Sequence, residues 1–211
     1  MPTEPVMIIA RGDLPSLTAA AIQSDFNRLV LWHLRESDVA GRRRAEAVKT
    51  CGELLGVRRV VETEAPRLGM PGGELPEGLR QSHLLLHAII VSRQLQCGKV
   101  VWPICVGPDH RMVGEAVERA GLAAATSELP AARGQGAVAG AGSVMIDLPL
   151  VDLTEEKLVE LVDDCAGPLG AFWPCEGDAE EPCGQCPECR RWAGAFAEAG
   201  VGWPWAVAAA R

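Results

Sequence analysis

Hydrophobic positions along the chain fall into short continuous runs separated by stretches with helical spacing. Residues 6–10 are an unbroken apolar run, which predicts a strand buried on both faces, and residues 16–25 then read as a helix. The same pair of signals follows again. Residues 29–32 predict a second short strand, residues 43–55 a helix closed by Gly56, and residues 58–62 a third strand with β-branched content. Pro71, Gly72, Gly73 and Pro76 make residues 69–78 a loop. Residues 79–97 predict a long helix ending at Gly98, and residues 99–106 a fourth strand bracketed by Pro103 and Pro108. Residues 109–120 are helical by pattern. Residues 131–143, rich in Gly and Ala and without a period, read as a crossing loop with no assigned chemistry. A last strand is expected at 144–146. Residues 154–163 then carry the apolar spacing of an amphipathic helix, with Leu158, Leu161 and Val162 inward, Thr154 as N-cap, and Glu155 and Glu156 in the first turn. Strands alternating with helices predict an α/β fold, a parallel sheet covered on both faces, and there is no internal repeat.

Composition narrows the function classes. The chain has 211 residues, 48% of them hydrophobic, enough for one sizeable core with a small appendage. Its net charge of −8 argues against a general attraction to nucleic acid or to an anionic membrane. The one basic run, Arg42, Arg43 and Arg44, is short, stands beside Glu46 and Glu53, and is read as a solvated helix face. Residues 1–5 lack the basic start of a secretory signal, and no segment reaches the ~20 apolar residues of a membrane span, so a cytoplasmic protein is expected.

Eight cysteines in such a chain favour reduced thiols and metal ligation over a disulfide framework. Four of them, Cys51, Cys97, Cys105 and Cys165, stand among apolar residues and are expected to be buried and inert. The other four, Cys175, Cys183, Cys186 and Cys189, crowd into fifteen residues, with Gly184 and Pro187 permitting tight turns that aim N–H groups at sulfur. Four thiolates in a tetrahedron suit zinc. Two successive C-x-x-C steps also begin an iron–sulfur run, but here no further cysteine follows and the fourth lies upstream. A site with four sulfur ligands leaves no position open for water, so the expected zinc is structural. His83 and His87 stand one helical turn apart, a spacing that could bind metal with Cys105 or His110, although ordinary helix residues are the favoured reading. Trp192, Trp203 and Trp205 are expected to pack the cysteine segment against the sheet or to make a contact surface, packing being the favoured reading.

The segment Cys-Gly-Gln-Cys-Pro-Glu-Cys-Arg, followed by Ala-Phe-Ala-Glu-Ala-Gly, resembles the C-terminal zinc segment of the 7-cyano-7-deazaguanine synthases of queuosine biosynthesis. Upstream, residues 146–150 and the helix from Thr154 resemble that family's Thr-Pro-Leu segment and the helix after it. The resemblance implies a Rossmann-like, adenine nucleotide alpha hydrolase-like sheet over residues 1–170, of ATP pyrophosphatase type, and a small zinc-binding segment over residues 171–211. It also implies an enzyme that adenylates a carboxylated deazaguanine and converts it with ammonia to the nitrile.

Such chemistry needs a phosphate cradle, which in the family is Ser-Gly-Gly-x-Asp-Ser between the first strand and helix. The matching stretch here runs from Ala10 to Ser16, with a single glycine, the bulky Arg11, and Pro15, which has no N–H to donate. Asp13 adds a negative charge. The family's Arg-Asn pair falls on Ser82 and His83, its lysine after Pro-Leu falls on Glu155, and its Gln-Arg-His has no counterpart among residues 39–44. Concerted change at four places that meet one nucleotide implies lost ATP activation. The expectation is a zinc-binding, synthase-like protein acting as a binding, regulatory or assembly subunit, with Arg11, Gly12 and Ser16 as a degenerate nucleotide site and no catalytic residue assigned. The alternative is an active synthase-type ligase. A protein partner or a homodimer, and a nucleobase or nucleotide ligand, are the expected partners.

Overall fold

The computed structural model describes residues 5–23, 26–35, 39–64, 76–127 and 143–205. Of the loops expected at 69–78 and 131–143, residues 69–75 and 131–142 lie outside these residues, whereas Glu77 and Gly78 already belong to a helix. Five parallel strands form one sheet in the order β3-β2-β1-β4-β5. They are β1 Val6–Ile9, β2 Leu29–Arg35, β3 Arg59–Glu64, β4 Lys99–Val101 and β5 Met145–Asp147. The helices are α1 Leu14–Ala21, α2 Gly41–Leu55, α3 Glu77–Gln94, α4 His110–Ser127, α5 Glu155–Asp164 and α6 Pro187–Glu198. This is the parallel α/β sheet that the alternating pattern predicts, and it is Rossmann-like, as the resemblance implies.

Two hydrophobic clusters flank the sheet because successive strand side chains point to opposite faces. On one face Ile8, Ala10, Leu29 and Leu31 pack with residues of α1, α2, α5 and α6. On the other, Met7, Ile9, Val30 and Trp32 pack with α3 and α4. All eight residues of α1 are buried, which suits its short apolar sequence between the sheet and α5.

The element boundaries differ from the sequence expectation where local chemistry intervenes. Helix α1 starts two residues early because Asp13 caps it and Pro15 fits the first turn, where no N–H is needed. Strand β4 stops at Val101, before Pro103, and α4 runs on to Ser127, seven residues past the expected end. Gly56, at φ 70°, closes α2 as expected.

The cysteine segment joins the first core directly. Ala171, Phe172, Trp192, Ala195 and Phe196 share the cluster that contains Ile8, Leu14 and Leu158. Phe172 stacks on Phe196 at 6.1 Å and meets Trp192, Trp203 and Trp205 edge-on, so the three tryptophans pack as expected. The Trp173 N–H donates to the Gly12 carbonyl at 2.7 Å, tying this segment to the turn between β1 and α1. No helix among the described residues is long and apolar enough to cross a membrane.

Gly12 holds φ +74°, and a Cβ there would lie 2.4 Å from the Arg44 carbonyl oxygen of α2. Both conditions demand glycine. Gly12→Ala is therefore expected to lower stability by about 1–3 kcal/mol, read by chemical denaturation. An unchanged midpoint would show that α2 does not hold this close approach in solution.

Candidate functional site

Four sulfurs gather at the N-terminus of α6. The side chains of Cys175, Cys183, Cys186 and Cys189 place their Sγ atoms within 4.8 Å of one another. Tetrahedral metal–sulfur bonds of ~2.3 Å give sulfur–sulfur edges of about 3.8 Å, so the group fits a single tetrahedral ion with small adjustment. Cys186 caps α6, its sulfur accepting the Cys189 N–H at 3.4 Å, and Pro187 follows in the first turn. Gly184, at φ 68°, forms the tight turn that lets the Gln185 and Cys186 N–H groups reach the Cys183 sulfur at 3.4 and 3.3 Å. The Gly177 N–H reaches Cys175 at 3.4 Å. These donors offset the negative charge that four thiolates would bring.

Titration of the sulfurs follows their surroundings. The Gln185 and Cys186 N–H groups lower the Cys183 thiol to about 6. Burial raises Cys189, so a thiolate there needs a cation beside it.

The segment is fastened from outside as well. Arg42 pairs with Asp178 at 3.3 Å, and Arg43 Nε donates to the Asp178 carbonyl at 3.1 Å. The Arg43 guanidinium lies 5.6 Å from the Trp173 ring centroid, while the Trp173 indole N–H donates to the Gly177 carbonyl at 3.0 Å. The basic run is thus a clamp on the cysteine loop rather than a purely solvated face, with Asp178, between Cys175 and Cys183, as its anchor.

The second feature lies where the strand order reverses. In an open parallel sheet, ligands bind outside the carboxyl ends of the two strands at this point, here β1 and β4. Arg11, Gly12 and Ser16 are all at this edge, and the backbone N–H groups of Arg11 and Ser16 are engaged internally. The Ser16 N–H donates to Asp13 Oδ1 at 3.0 Å, the Ser16 hydroxyl donates to the same oxygen, and the Arg11 N–H donates to Ser16 Oγ at 2.9 Å. The Asp13 carboxylate therefore occupies the positive end of α1. Arg11 reaches Asp13 at 4.0 Å and is half-exposed.

On the β4 side, the Cys105 thiol donates to the Leu153 carbonyl at 2.9 Å. Burial raises its pKa, and nearby Glu155 and Asp13 push in the same direction. A thiol so placed is a weak nucleophile. Glu155 pairs with Arg191 of α6, which also reaches Glu188 at 3.1 Å. Pairing of Glu155 with a cation from the cysteine-bearing helix is a relation that sequence spacing could not reveal.

The histidine pair stands elsewhere. His87 packs against Trp32 at 5.3 Å and against His83 at 6.0 Å, on the α3–α4 face, whereas Cys105 packs against the core of the other face. Burial and the neighbouring His83 lower the His87 pKa. Among the described residues, the four-cysteine group is the only gathering of three or more metal-ligating side chains. Of the remaining thiols, Cys51 and Cys97 are buried as expected, Cys105 is half-buried, and Cys165 is exposed, contrary to expectation.

Comparison with known proteins bears on the C-terminal part. Residues 126–200 match the family model described as "Queuosine biosynthesis protein QueC". A 58-residue stretch is 38% identical to the 7-cyano-7-deazaguanine synthase of Acidobacterium capsulatum. It is 40% and 34% identical to the synthases of Methanosarcina barkeri and Thermosynechococcus vestitus over the same length. In each case the match covers 28% of this chain and spans 25% of the relative's length. The matched region includes β5, α5, all four clustered cysteines and α6, while the β1–α1 turn precedes it. Over residues 126–200, then, the chain is QueC-like.

Proposed function

We propose that the four cysteines hold one structural zinc ion, and that this QueC-like chain has given up ATP activation and serves as a binding, regulatory or assembly subunit. The observation that carries the reading is Asp13 on the N-terminus of α1. A triphosphate would need the N–H groups and positive helix end that Asp13 and Ser16 already engage, and it would meet the Asp13 charge. The charges nearby are already matched in pairs, Arg11 with Asp13 and Arg191 with Glu155. The zinc reading draws on the closeness of the four sulfurs, their N–H donors and the absence of an open ligand position. In this role the ion ties α6 and the cysteine loop to the β1–α1 edge and supplies no reaction.

Under this proposal the carboxyl ends of β1 and β4 can still take a nucleobase-like molecule without activating it, and the working partner is another protein or a second copy of the chain. A second reading, an active ligase converting carboxy-deazaguanine with ammonia and ATP to the nitrile, is favoured by one feature. Arg11 stands half-exposed beside a helix start at the point where the strand order reverses.

Elemental analysis of protein purified without added metal should give one zinc per chain, whereas iron with visible absorbance would overturn the zinc assignment. Cys186→Ser should remove the ion and lower the melting temperature by on the order of 10 °C, because a structural zinc contributes directly to folding free energy. Full zinc content with an unchanged melt would contradict its structural role.

Incubation with ATP, ammonia and the carboxy-deazaguanine acid should release no pyrophosphate above background. Turnover by the unmodified protein that is abolished by Arg11→Ala or Ser16→Ala would establish the ligase reading instead.

A further inference from the structure

The four clustered sulfurs do not share one environment. Cys175 and Cys189 are 3% and 0% exposed, whereas Cys183 is exposed and Cys186 half-buried. A solvent-borne oxidant therefore meets Cys183 first. The cysteine closest to it in sequence is Cys186, on the same tight turn through Gly184, with the Cys186 N–H donating to the Cys183 sulfur. Their sulfurs, within 4.8 Å, need a local rotation to reach the ~2.05 Å of a disulfide. Neither buried cysteine has to leave the core.

We propose that Cys183 and Cys186 are an oxidisable pair, which a hydroperoxide joins in a disulfide, ending metal binding and loosening the cysteine loop from the β1–α1 turn. The inference rests on the zinc reading above. One thiolate attacks a peroxide oxygen and becomes a sulfenic acid as the O–O bond breaks, and the departing hydroxide takes a proton to form water. The second thiolate attacks the sulfenyl sulfur and expels the second hydroxide, which is likewise protonated. Two thiolates, one hydrogen peroxide and two protons thus give one disulfide and two waters. Two of the four sulfur donors are consumed, so the remaining pair, Cys175 and Cys189, no longer completes a tetrahedral site.

The consequence reaches the sheet through contacts already present. Residues 173–178 carry the Trp173 N–H bond to the Gly12 carbonyl and the Arg42 and Arg43 contacts with Asp178. With Cys175 no longer tied through a metal to α6, the loop over the turn that contains Asp13 and Ser16 loses one of its anchors. Opening is then local. The α3–α4 face, on the far side of the sheet, shares none of these contacts.

The test uses the full chain, with its zinc content measured first, treated with hydrogen peroxide beside a Cys165→Ser variant that lacks the exposed thiol outside the cluster. Released zinc is followed with a chromogenic chelator, disulfides by peptide mass mapping, and opening by amide hydrogen exchange. The expected result is release of one zinc per chain with a Cys183–Cys186 disulfide in both proteins, reversed by reductant and added zinc. Exchange over residues 12–16 and 173–186 should accelerate roughly tenfold or more, with α3 and α4 unchanged. Zinc retained through oxidation, a disulfide that includes Cys175 or Cys189, or unchanged exchange over residues 12–16 would overturn the proposal. Protein with no zinc before treatment would fail the zinc reading and this inference together, whereas zinc present but retained would fail the oxidisable pair alone.

Discussion

At the carboxyl edge of the sheet, three parts of the chain converge on the backbone of Gly12. Helix α2 approaches so closely that the Arg44 carbonyl occupies the space of a Cβ, and the Trp173 N–H takes the Gly12 carbonyl from the other direction. Strand β1, helix α1, helix α2 and the cysteine segment are therefore fixed relative to one another by a residue without a side chain. In nucleotide-binding folds, glycine at such a turn lets backbone approach phosphate. Here it lets backbone approach backbone, at the Arg44 carbonyl of α2.

That difference governs the electrostatics of the edge. The positive end of α1 attracts a negative group, and Asp13 supplies one from within the chain. Glu155, at the start of α5, finds its counter-charge in Arg191 of α6, whose first turn carries Cys186 and Cys189. Stability and ligand recognition thus draw on the same few donors and charges. A helix N-terminus capped by its own carboxylate is a gain for folding and a loss for binding an anion.

Much of this was readable from the residues, and the exceptions have physical reasons. The five strands and the parallel arrangement followed from apolar runs set between helical periods, and the cysteine group from its spacing. The role of Asp13 did not follow, because one carboxylate before a helix can repel a ligand or cap the helix, and only the position of Ser16 decides between them. The Arg42–Asp178 and Arg191–Glu155 pairs link residues 136 and 36 positions apart, beyond the reach of local pattern. Helix α6 was hidden by the metal motif, although Pro187 after Cys186, and Cys189, Trp192, Ala195 and Phe196 facing inward, carry an ordinary helix signal. Cys165 follows the last turn of α5, directly after Asp163 and Asp164, and is exposed with them.

The central claim is that the chain's own groups engage the N-terminus of α1, leaving it closed to a triphosphate. Amide NMR spectra of the zinc-loaded protein, titrated with magnesium and ATP, address it at the residues concerned. The N–H resonances of Arg11, Ser16 and Leu17 should stay in place up to about millimolar nucleotide, because their hydrogen-bond partners are internal. Saturable shifts of the Gly12, Asp13 and Ser16 resonances at micromolar ATP would contradict the claim and show that Asp13 yields its place to phosphate.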